Sequence, residues 1–228
     1  MRQGRQDDPA AVRAVVWDMD GTLIDSTRVV PDAYITAIAR LSGRRLSRDQ
    51  IFAVYHLGPP KLILTELLGR ASTAADVLEY HASLRAIAAQ AAPYPGIVDA
   101  LDTLRQRLPL AVFTGADHDS ARILLGASGL LPYFARVVGG DEVQHQKPAP
   151  DGVLLACAAL GVEPAAAAYV GDSPADLEAA RTSGALAVAA GWGHLFRSRD
   201  SPADLVLADP RELLTALDAD GGAPSSPS

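Results

Sequence analysis

Cysteine and aromatic residues are scarce in this chain of 228 residues. Cys157 is the only cysteine, and aromatic residues make up 5% of the chain. A single cysteine cannot form an internal disulfide, which fits a reducing cytoplasm. Its apolar neighbours predict that it fills the core, because buried thiols are usually inert. Methionine and aromatic residues are too sparse to suggest a stacking platform.

Positive charge and long apolar runs are lacking as well. The net charge is −7, whereas nucleic-acid binding needs a basic surface. No window approaches the ~20 apolar residues of a membrane span, and residues 1–8 lack the apolar core of a signal peptide. We therefore expect a cytoplasmic protein that binds neither nucleic acid nor membranes. The sequence does not predict its oligomeric state.

Lysine is rare compared with arginine. The chain has 20 basic residues, but only Lys61 and Lys147 are lysines. A chain that uses arginine almost everywhere and keeps a lysine before Pro148 is predicted to need a compact point charge there.

The apolar residues, 49% of the chain, follow an alternating pattern of strands and helices after about residue 95. Such alternation predicts an α/β fold with a doubly wound, Rossmann-like parallel sheet and right-handed crossovers. The predicted strands are 14–17, 110–113, 137–138, 167–170, 185–189 and 204–207, and the predicted helices are 97–107, 120–128, 149–160, 174–183 and 211–217.

Residues 26–93 break this rhythm. They contain helical patterns at 31–41, 47–57, 60–68 and 75–91, and no convincing strand. We interpret this stretch as an all-helical cap inserted into a core formed by residues 11–25 and 94–218. The tails, residues 1–10 and 219–228, are predicted to be disordered.

Two aspartates end the first apolar run. Asp18 and Asp20 follow the strand pattern Ala14-Val15-Val16-Trp17 and precede a Gly-Thr turn. Residues i and i+2 of a strand point the same way, so both carboxylates are predicted to project together. Like charges placed together repel, and they persist where a metal, a shared proton or a reaction needs them.

Further polar residues follow later strands. Thr114 and Gly115 follow residues 110–113, Lys147 precedes Pro148, and Asp172 follows residues 167–171 and is itself followed by Asp176. Ligands of open parallel sheets bind beyond the carboxyl ends of the strands. This ordered set resembles the haloacid dehalogenase superfamily, in its branch of phosphoglycolate-phosphatase-like and β-phosphoglucomutase-like enzymes with a helical cap.

The resemblance implies a phosphatase that forms an aspartyl-phosphate on Asp18. It makes Asp20 the acid and base, and it makes Thr114, Gly115 and Lys147 the groups that hold the phosphate. It implies Mg²⁺, bound by Asp18, the Asp20 carbonyl and Asp172, since Mg²⁺ takes oxygen ligands. Thr114-Gly115 departs from the usual Thr-Asn or Thr-Ser, so we expect a phosphate pocket with fewer donors or a different orientation of the substrate.

Two other chemistries fit the motifs less well. Dehalogenation needs neither a metal nor an acid two residues after the nucleophile, whereas Asp20 and Asp172 are both present. A calcium loop beginning at Asp18 would need glycine at its sixth position and glutamate at its twelfth. Leu23 and Val29 stand there.

Several alternatives stay open. Asp176 fits both a capping-box position, in Ser173-Pro174-Ala175-Asp176, and a supporting role at the metal. The substrate is a small phosphorylated metabolite, and its selection is expected from a cap face that includes Tyr34, His56, Pro59, Pro60 and Lys61. A phosphosugar mutase and a non-catalytic phosphometabolite-binding protein are the alternative functions. Residues 26–30 lack the histidine that mutases usually carry there, which weakens the mutase alternative.

Overall fold

The computed structural model describes residues 11–197 and 202–220. The predicted disordered tails, residues 1–10 and 219–228, lie outside the described residues, apart from the last two residues of the final helix. None of the helices in the described ranges combines the length and the apolar character that crossing a membrane requires.

Six parallel strands form the main sheet in the order β5-β4-β1-β6-β7-β8. They are β1 (Ala14–Trp17), β4 (Leu110–Phe113), β5 (Arg136–Val138), β6 (Ala167–Gly171), β7 (Leu186–Ala190) and β8 (Leu205–Leu207). In register, Val16 of β1 lies beside Ala111 of β4 and Tyr169 of β6. Every residue of β1, β4 and β6 is buried, as expected for a parallel sheet that is covered on both faces.

Helices cover both faces of this sheet. Alternate residues of β1 enter two separate apolar clusters, with Val15 in one and Val16 in the other. The first cluster is completed by helices α5 (Ile97–Leu104), α6 (His118–Ala127) and α9 (Leu213–Asp220), and the second by α7 (Asp151–Leu160) and α8 (Pro174–Ser183). Cys157 of α7 is buried in the second cluster, as predicted. The predicted α/β architecture is confirmed.

Four α-helices lie between β1 and residue 92. They are α1 (Val29–Ser42), α2 (Arg48–Phe52), α3 (Pro60–Leu68) and α4 (Ala74–Ile87). Helix α1 buries Val29, Ala33, Ala37 and Ile38, a helical spacing that makes one apolar stripe. These helices supply no strand to the six-stranded sheet in the described chain, and their status as a separate cap domain stays a prediction.

A short antiparallel ladder closes this helical segment, and the sequence did not predict it. Strand β2 (Ile24–Asp25) pairs with β3 (Ala92–Pro93), so the chain leaves and returns at one place. Each strand has two residues, too few for an alternating pattern to be visible. The expectation that residues 26–93 hold no strand is therefore wrong at their last two residues.

Two predicted helices within residues 26–93 end earlier than their patterns suggested. The helix expected over 47–57 ends at Phe52 and is followed by a 3₁₀ turn at Tyr55–Leu57. The helix expected over 75–91 gives way to a 3₁₀ turn at Ala88–Gln90. In both places the apolar spacing continues through a change of helix type, since a 3₁₀ turn also puts residues three apart on one face.

Candidate active site

Three neighbouring strands of the main sheet end in residues that the sequence singled out. Strands β4, β1 and β6 lie side by side, and they are followed directly by Thr114, Asp18 and Asp172. Because the strands are parallel, their carboxyl ends share one edge of the sheet, where open α/β folds bind ligands. All three residues line one cavity.

A turn follows strand β1 at the two aspartates. Strand β1 ends before Asp18, and three later amides donate to the carbonyl of Met19. Gly21 has a φ of +88°, and a Cβ there would lie 2.6 Å from Oδ2 of Asp172. Glycine is required on both grounds. Both predicted carboxylates line the cavity.

Lys147 joins two of the carboxylates. Its Nζ donates to Oδ1 of Asp18 at 2.5 Å and to Oδ1 of Asp176 at 2.7 Å. The Nζ also lies 4.9 Å from the ring centroid of Phe113 and 5.4 Å from that of Tyr169, within cation–π range. Burial alone would lower the pKa of Lys147, but the charges of Asp176 and Asp18 raise it above its usual value. The lysine is therefore a buried, permanently charged group.

Asp176 occupies the capping-box position that the sequence predicted, and it also contacts Lys147. Its Oδ2 accepts hydrogen bonds from the Ser173 amide at 3.0 Å and the Ser173 hydroxyl at 2.6 Å, which completes the capping box of α8. Its Oδ1 accepts from Lys147 and, at 3.1 Å, from the Tyr169 hydroxyl. Burial would raise the pKa of Asp176, but the Lys147 charge holds it below the usual value.

The carboxylates of Asp18, Asp172 and Asp176 fit a divalent metal. Each offers one oxygen, and these oxygens lie within 4.8 Å of one another. Oδ2 of Asp172 accepts from the Leu195 amide at 2.9 Å, while its buried Oδ1 has no partner among the described residues. Burial and the Asp176 charge raise the pKa of Asp172 to about 6. A cation with oxygen ligands would relieve this crowding of charge.

Asp18 shares that crowding. Burial first, and then the charge of Asp176, raise the pKa of Asp18 well above its usual value, against the lowering effect of Lys147. A nucleophilic carboxylate must be ionised, so added positive charge at this place favours its reactive form.

Asp20 is held by a different partner. The Ser26 hydroxyl donates a hydrogen bond to Oδ1 of Asp20. Burial raises the pKa of Asp20, and the Ser26 hydrogen bond and the Lys147 charge partly offset this increase. A carboxyl group with a raised pKa is suited to give up a proton and later to take one back.

Thr114 and Gly115 form another part of the cavity wall. Thr114 is buried, and its amide donates to the Val138 carbonyl at 3.1 Å while its hydroxyl accepts from the Ala116 amide at 3.2 Å. A Cβ added at Gly115 would meet nothing within 4 Å. The wall is open there, so an anion can approach the backbone closely.

The cavity has a volume of about 410 Å³, within the range of small-molecule sites. All seven predicted site residues line it. The others come chiefly from α1, α3, α4, α6 and nearby loops: Val30, Tyr34, Tyr55, His56, Gly58, Pro60, Ile63, Tyr80, Ala116, Ser120, Leu124, Gln146, Ser173, Ala175 and Leu195.

The prediction of the substrate-facing residues is only partly correct. Tyr34, His56 and Pro60 line the cavity, whereas Pro59 and Lys61 do not. Lys61 is exposed. Sequence reasoning missed Tyr55, Tyr80 and Ser120, which lie far apart in the chain and carry no motif. The signal available for Tyr80 was its place on the buried stripe of α4, four residues before Leu84.

A buried hydrogen bond joins the helical segment to the core beside this cavity. Nε2 of His81 in α4 lies 2.9 Å from Oδ2 of Asp117, the N-cap residue of α6. Oδ1 of Asp117 accepts from the Ser120 amide at 2.9 Å. His81 and Asp117 are 36 residues apart, and no motif in the sequence relates them.

The sequence pattern of the haloacid dehalogenase-like hydrolase family matches residues 12–184. The chain belongs to this family. The match spans the strand ends and the whole carboxylate cluster. The predicted family is confirmed, and so is the predicted enzyme class, a phosphatase of this type.

Known relatives of this hydrolase include two curated proteins. It is 38% identical over 186 residues to a probable phosphatase, IndB, of Dickeya dadantii strain 3937, covering 78% of this chain and 81% of that protein. It is 30% identical over 210 residues to a phosphoglycolate phosphatase of Aquifex aeolicus strain VF5, covering 91% and 97% of the two chains.

The fold of the hydrolase also matches a crystal structure of CbbY from Rhodobacter sphaeroides in complex with phosphate. The TM-score is 0.80 at 26% identity, and the match covers 91% of this chain and 99% of the other. The agreement extends over the helical segment as well as the sheet.

Proposed function

We propose that this hydrolase releases phosphate from a small phosphorylated metabolite through an aspartyl-phosphate on Asp18, with Mg²⁺ as cofactor. One observation carries the proposal: the Asp18 carboxylate lines the cavity and accepts a hydrogen bond from Lys147, and Asp20 follows two residues further on. The resemblance of the chain to a protein crystallised with phosphate supports it.

In the first half of the reaction, a carboxylate oxygen of Asp18 attacks phosphorus while the bond to the alcohol oxygen breaks. Asp20 gives its proton to that departing oxygen. Lys147 offsets the negative charge gathering on the phosphoryl oxygens and on Asp18. Thr114 and the Gly115 amide hold two of those oxygens.

In the second half, Asp20 takes a proton from water, and the water oxygen attacks phosphorus to release phosphate and restore Asp18. Asp18, the Asp20 carbonyl and Asp172 would hold Mg²⁺, which would supply positive charge that offsets the repulsion between carboxylate and phosphate. Asp176 supports the site by fixing Lys147 and the start of α8.

Metal removal tests the proposal directly. We expect phosphate release from a panel of phosphorylated metabolites with Mg²⁺ and none with EDTA. We also expect Mg²⁺ at a hundred times its Kd to stabilise the protein by about 2.7 kcal/mol, measured as a rise in Tm. Asp172→Asn should lose this rise, whereas Asp141→Asn, on an exposed turn, should keep it. Turnover in EDTA would contradict the role of the metal.

Removing Asp20 should affect poor leaving groups most. We expect Asp20→Ala to slow hydrolysis of an alkyl phosphate by about 10²–10⁴-fold and that of para-nitrophenyl phosphate by much less, because nitrophenolate leaves without a proton. The exposed Asp25 supplies the control, Asp25→Ala. Equal slowing of both esters would count against Asp20 as the acid.

The mutase alternative predicts a different product. A mutase would return the phosphoryl group to another hydroxyl of the sugar, so the phosphate would stay esterified and no free phosphate would form. Residues 26–30 carry no histidine, which favours hydrolysis. Product analysis by phosphorus NMR separates free phosphate from an isomerised sugar phosphate.

A further inference from the structure

Apolar side chains dominate the cavity away from the phosphate-binding residues. We call this part the leaving-group chamber and define it by Val30, Tyr34, Tyr55, Ile63, Tyr80 and Leu124. The rings of Tyr34 and Tyr80 stack at a centroid distance of 4.1 Å and an interplanar angle of 19°. The expectation that aromatic residues are too sparse for stacking is wrong here, because α1 and α4 bring together two tyrosines that are distant in the chain.

Positive charge is nearly absent from this cavity. Among the described residues that line it, Lys147 is the only lysine and there is no arginine. Lys147 is already bonded to Asp18 and Asp176. His56, the other lining residue able to carry positive charge, is exposed. A carboxylate or a second phosphate in the chamber would therefore lose water and gain no cationic partner, which is unfavourable.

Three uncharged polar atoms of the lining residues lack partners among the described residues. The Tyr55 hydroxyl, the Ser120 hydroxyl and Oε1 of Gln146 are buried and make no hydrogen bond within the described part of the chain. Each belongs to a lining residue. Buried polar atoms in proteins are normally paired, so a ligand with neutral hydrogen-bonding groups would satisfy them.

We infer that the alcohol released by this enzyme is uncharged and carries a flat, ring-shaped body with neutral hydrogen-bonding groups, which excludes phosphoglycolate and sugar bisphosphates as preferred substrates. This inference rests on the proposed function. Stacked tyrosines give a rigid wall that favours a flat ring. The missing cation disfavours charge, and the unpaired hydroxyls and amide oxygen provide the polar contacts.

Paired substrates test the inference. Benzyl phosphate and phosphoglycolate are both esters of primary alcohols, but one carries a ring and the other a carboxylate. We expect kcat/KM to be at least about tenfold higher for benzyl phosphate. Para-nitrophenyl phosphate serves as the general phosphatase probe.

A matched pair of variants locates the preference. Tyr55→Ala removes a half-buried tyrosine of the chamber, and Tyr133→Ala removes a half-buried tyrosine outside the cavity lining. We expect the kcat/KM ratio of benzyl phosphate to phosphoglycolate to fall at least about fivefold in Tyr55→Ala and to stay unchanged in Tyr133→Ala. An unchanged ratio in Tyr55→Ala would show that the chamber does not select the substrate.

Binding to the Asp18→Asn variant gives a measurement independent of turnover. Calorimetry with benzyl phosphate and phosphoglycolate should show tighter binding of the ring-bearing ester. If para-nitrophenyl phosphate is hydrolysed but phosphoglycolate equals or exceeds benzyl phosphate, the inference fails and the phosphatase stands. If no ester is hydrolysed, the proposed function fails, and the order of the two binding constants alone upholds or overturns the inference.

Discussion

In the Asp18→Asn variant, we expect phosphate release to fall by roughly four orders of magnitude or more while the protein stays folded. Asparagine has nearly the same shape as aspartate and keeps an oxygen for the Lys147 hydrogen bond. It lacks the negative charge and the nucleophilic oxygen pair, so no acyl-phosphate can form. Steady-state rates with para-nitrophenyl phosphate measure the loss, and circular dichroism confirms the fold.

The control for this loss is Asp119→Asn, which makes the same chemical change on an exposed residue of α6 and should leave the rate within about twofold. A second measurement traps the intermediate. Asp20→Asn should accumulate protein that is heavier by one phosphoryl group, detected by intact mass. Near wild-type turnover in Asp18→Asn would overturn the covalent mechanism.

The Lys147→Met variant should lose both activity and stability. Lys147 is 12% exposed, and its partners Asp18 and Asp176 are 8% and 3% exposed. Removing one member of a buried ion pair costs about 3–5 kcal/mol, because the remaining charge is left without a partner. We expect a decrease of about 3 kcal/mol in the free energy of unfolding in EDTA at pH 7, and a loss of about 10²–10³ in kcat.

The pH dependence of this loss identifies its cause. Without Lys147, burial and mutual repulsion should raise the folded-state pKa of Asp18 and Asp176 above their unfolded values. A carboxyl group of this kind takes up a proton on folding, so the folded state gains stability as the pH falls through the folded pKa. Urea denaturation should therefore show the deficit of Lys147→Met shrinking between pH 7 and pH 5.

Lys61 supplies the matched control for that experiment. It is the only other lysine and is exposed, so Lys61→Met should change stability by less than about 0.5 kcal/mol. A deficit in Lys147→Met that stays constant with pH would show that lost packing, not unpaired charge, causes it.

Much of the sheet was predictable because its strands are buried on both faces. Strand β4 and helices α3 and α8 have the predicted bounds. Helix α8 was predictable for a local reason, since Ser173, Pro174 and Asp176 form its N-terminus and Gly184 ends it. Information of this kind lies within a few neighbouring residues.

The chemistry-bearing residues were predictable because strand ends converge in a parallel sheet. The order of the strands alone is enough to bring together Thr114, Asp18 and Asp172. Their roles, and that of Asp20, remain part of the proposed function.

The chamber was not predictable, because its walls depend on how helices pack. Tyr34 and Tyr80 stack only through the contact of α1 with α4, and no spacing in the sequence reports that contact. The pairing of His81 with Asp117 depends on the same kind of packing, between α4 and α6.

The ladder of β2 and β3 marks where the helical segment could be exchanged for that of a relative. Helices α1–α4 are joined to the sheet through two adjoining peptide stretches, and in the described chain they lend the sheet no strand. A graft of residues 26–91 from a relative would therefore exchange most of the chamber wall while leaving Asp18, Lys147 and Asp172 in place. In such a chain, substrate preference could change while the residues that break the bond stay the same. The junctions of the graft would lie at Asp25 and Ala92.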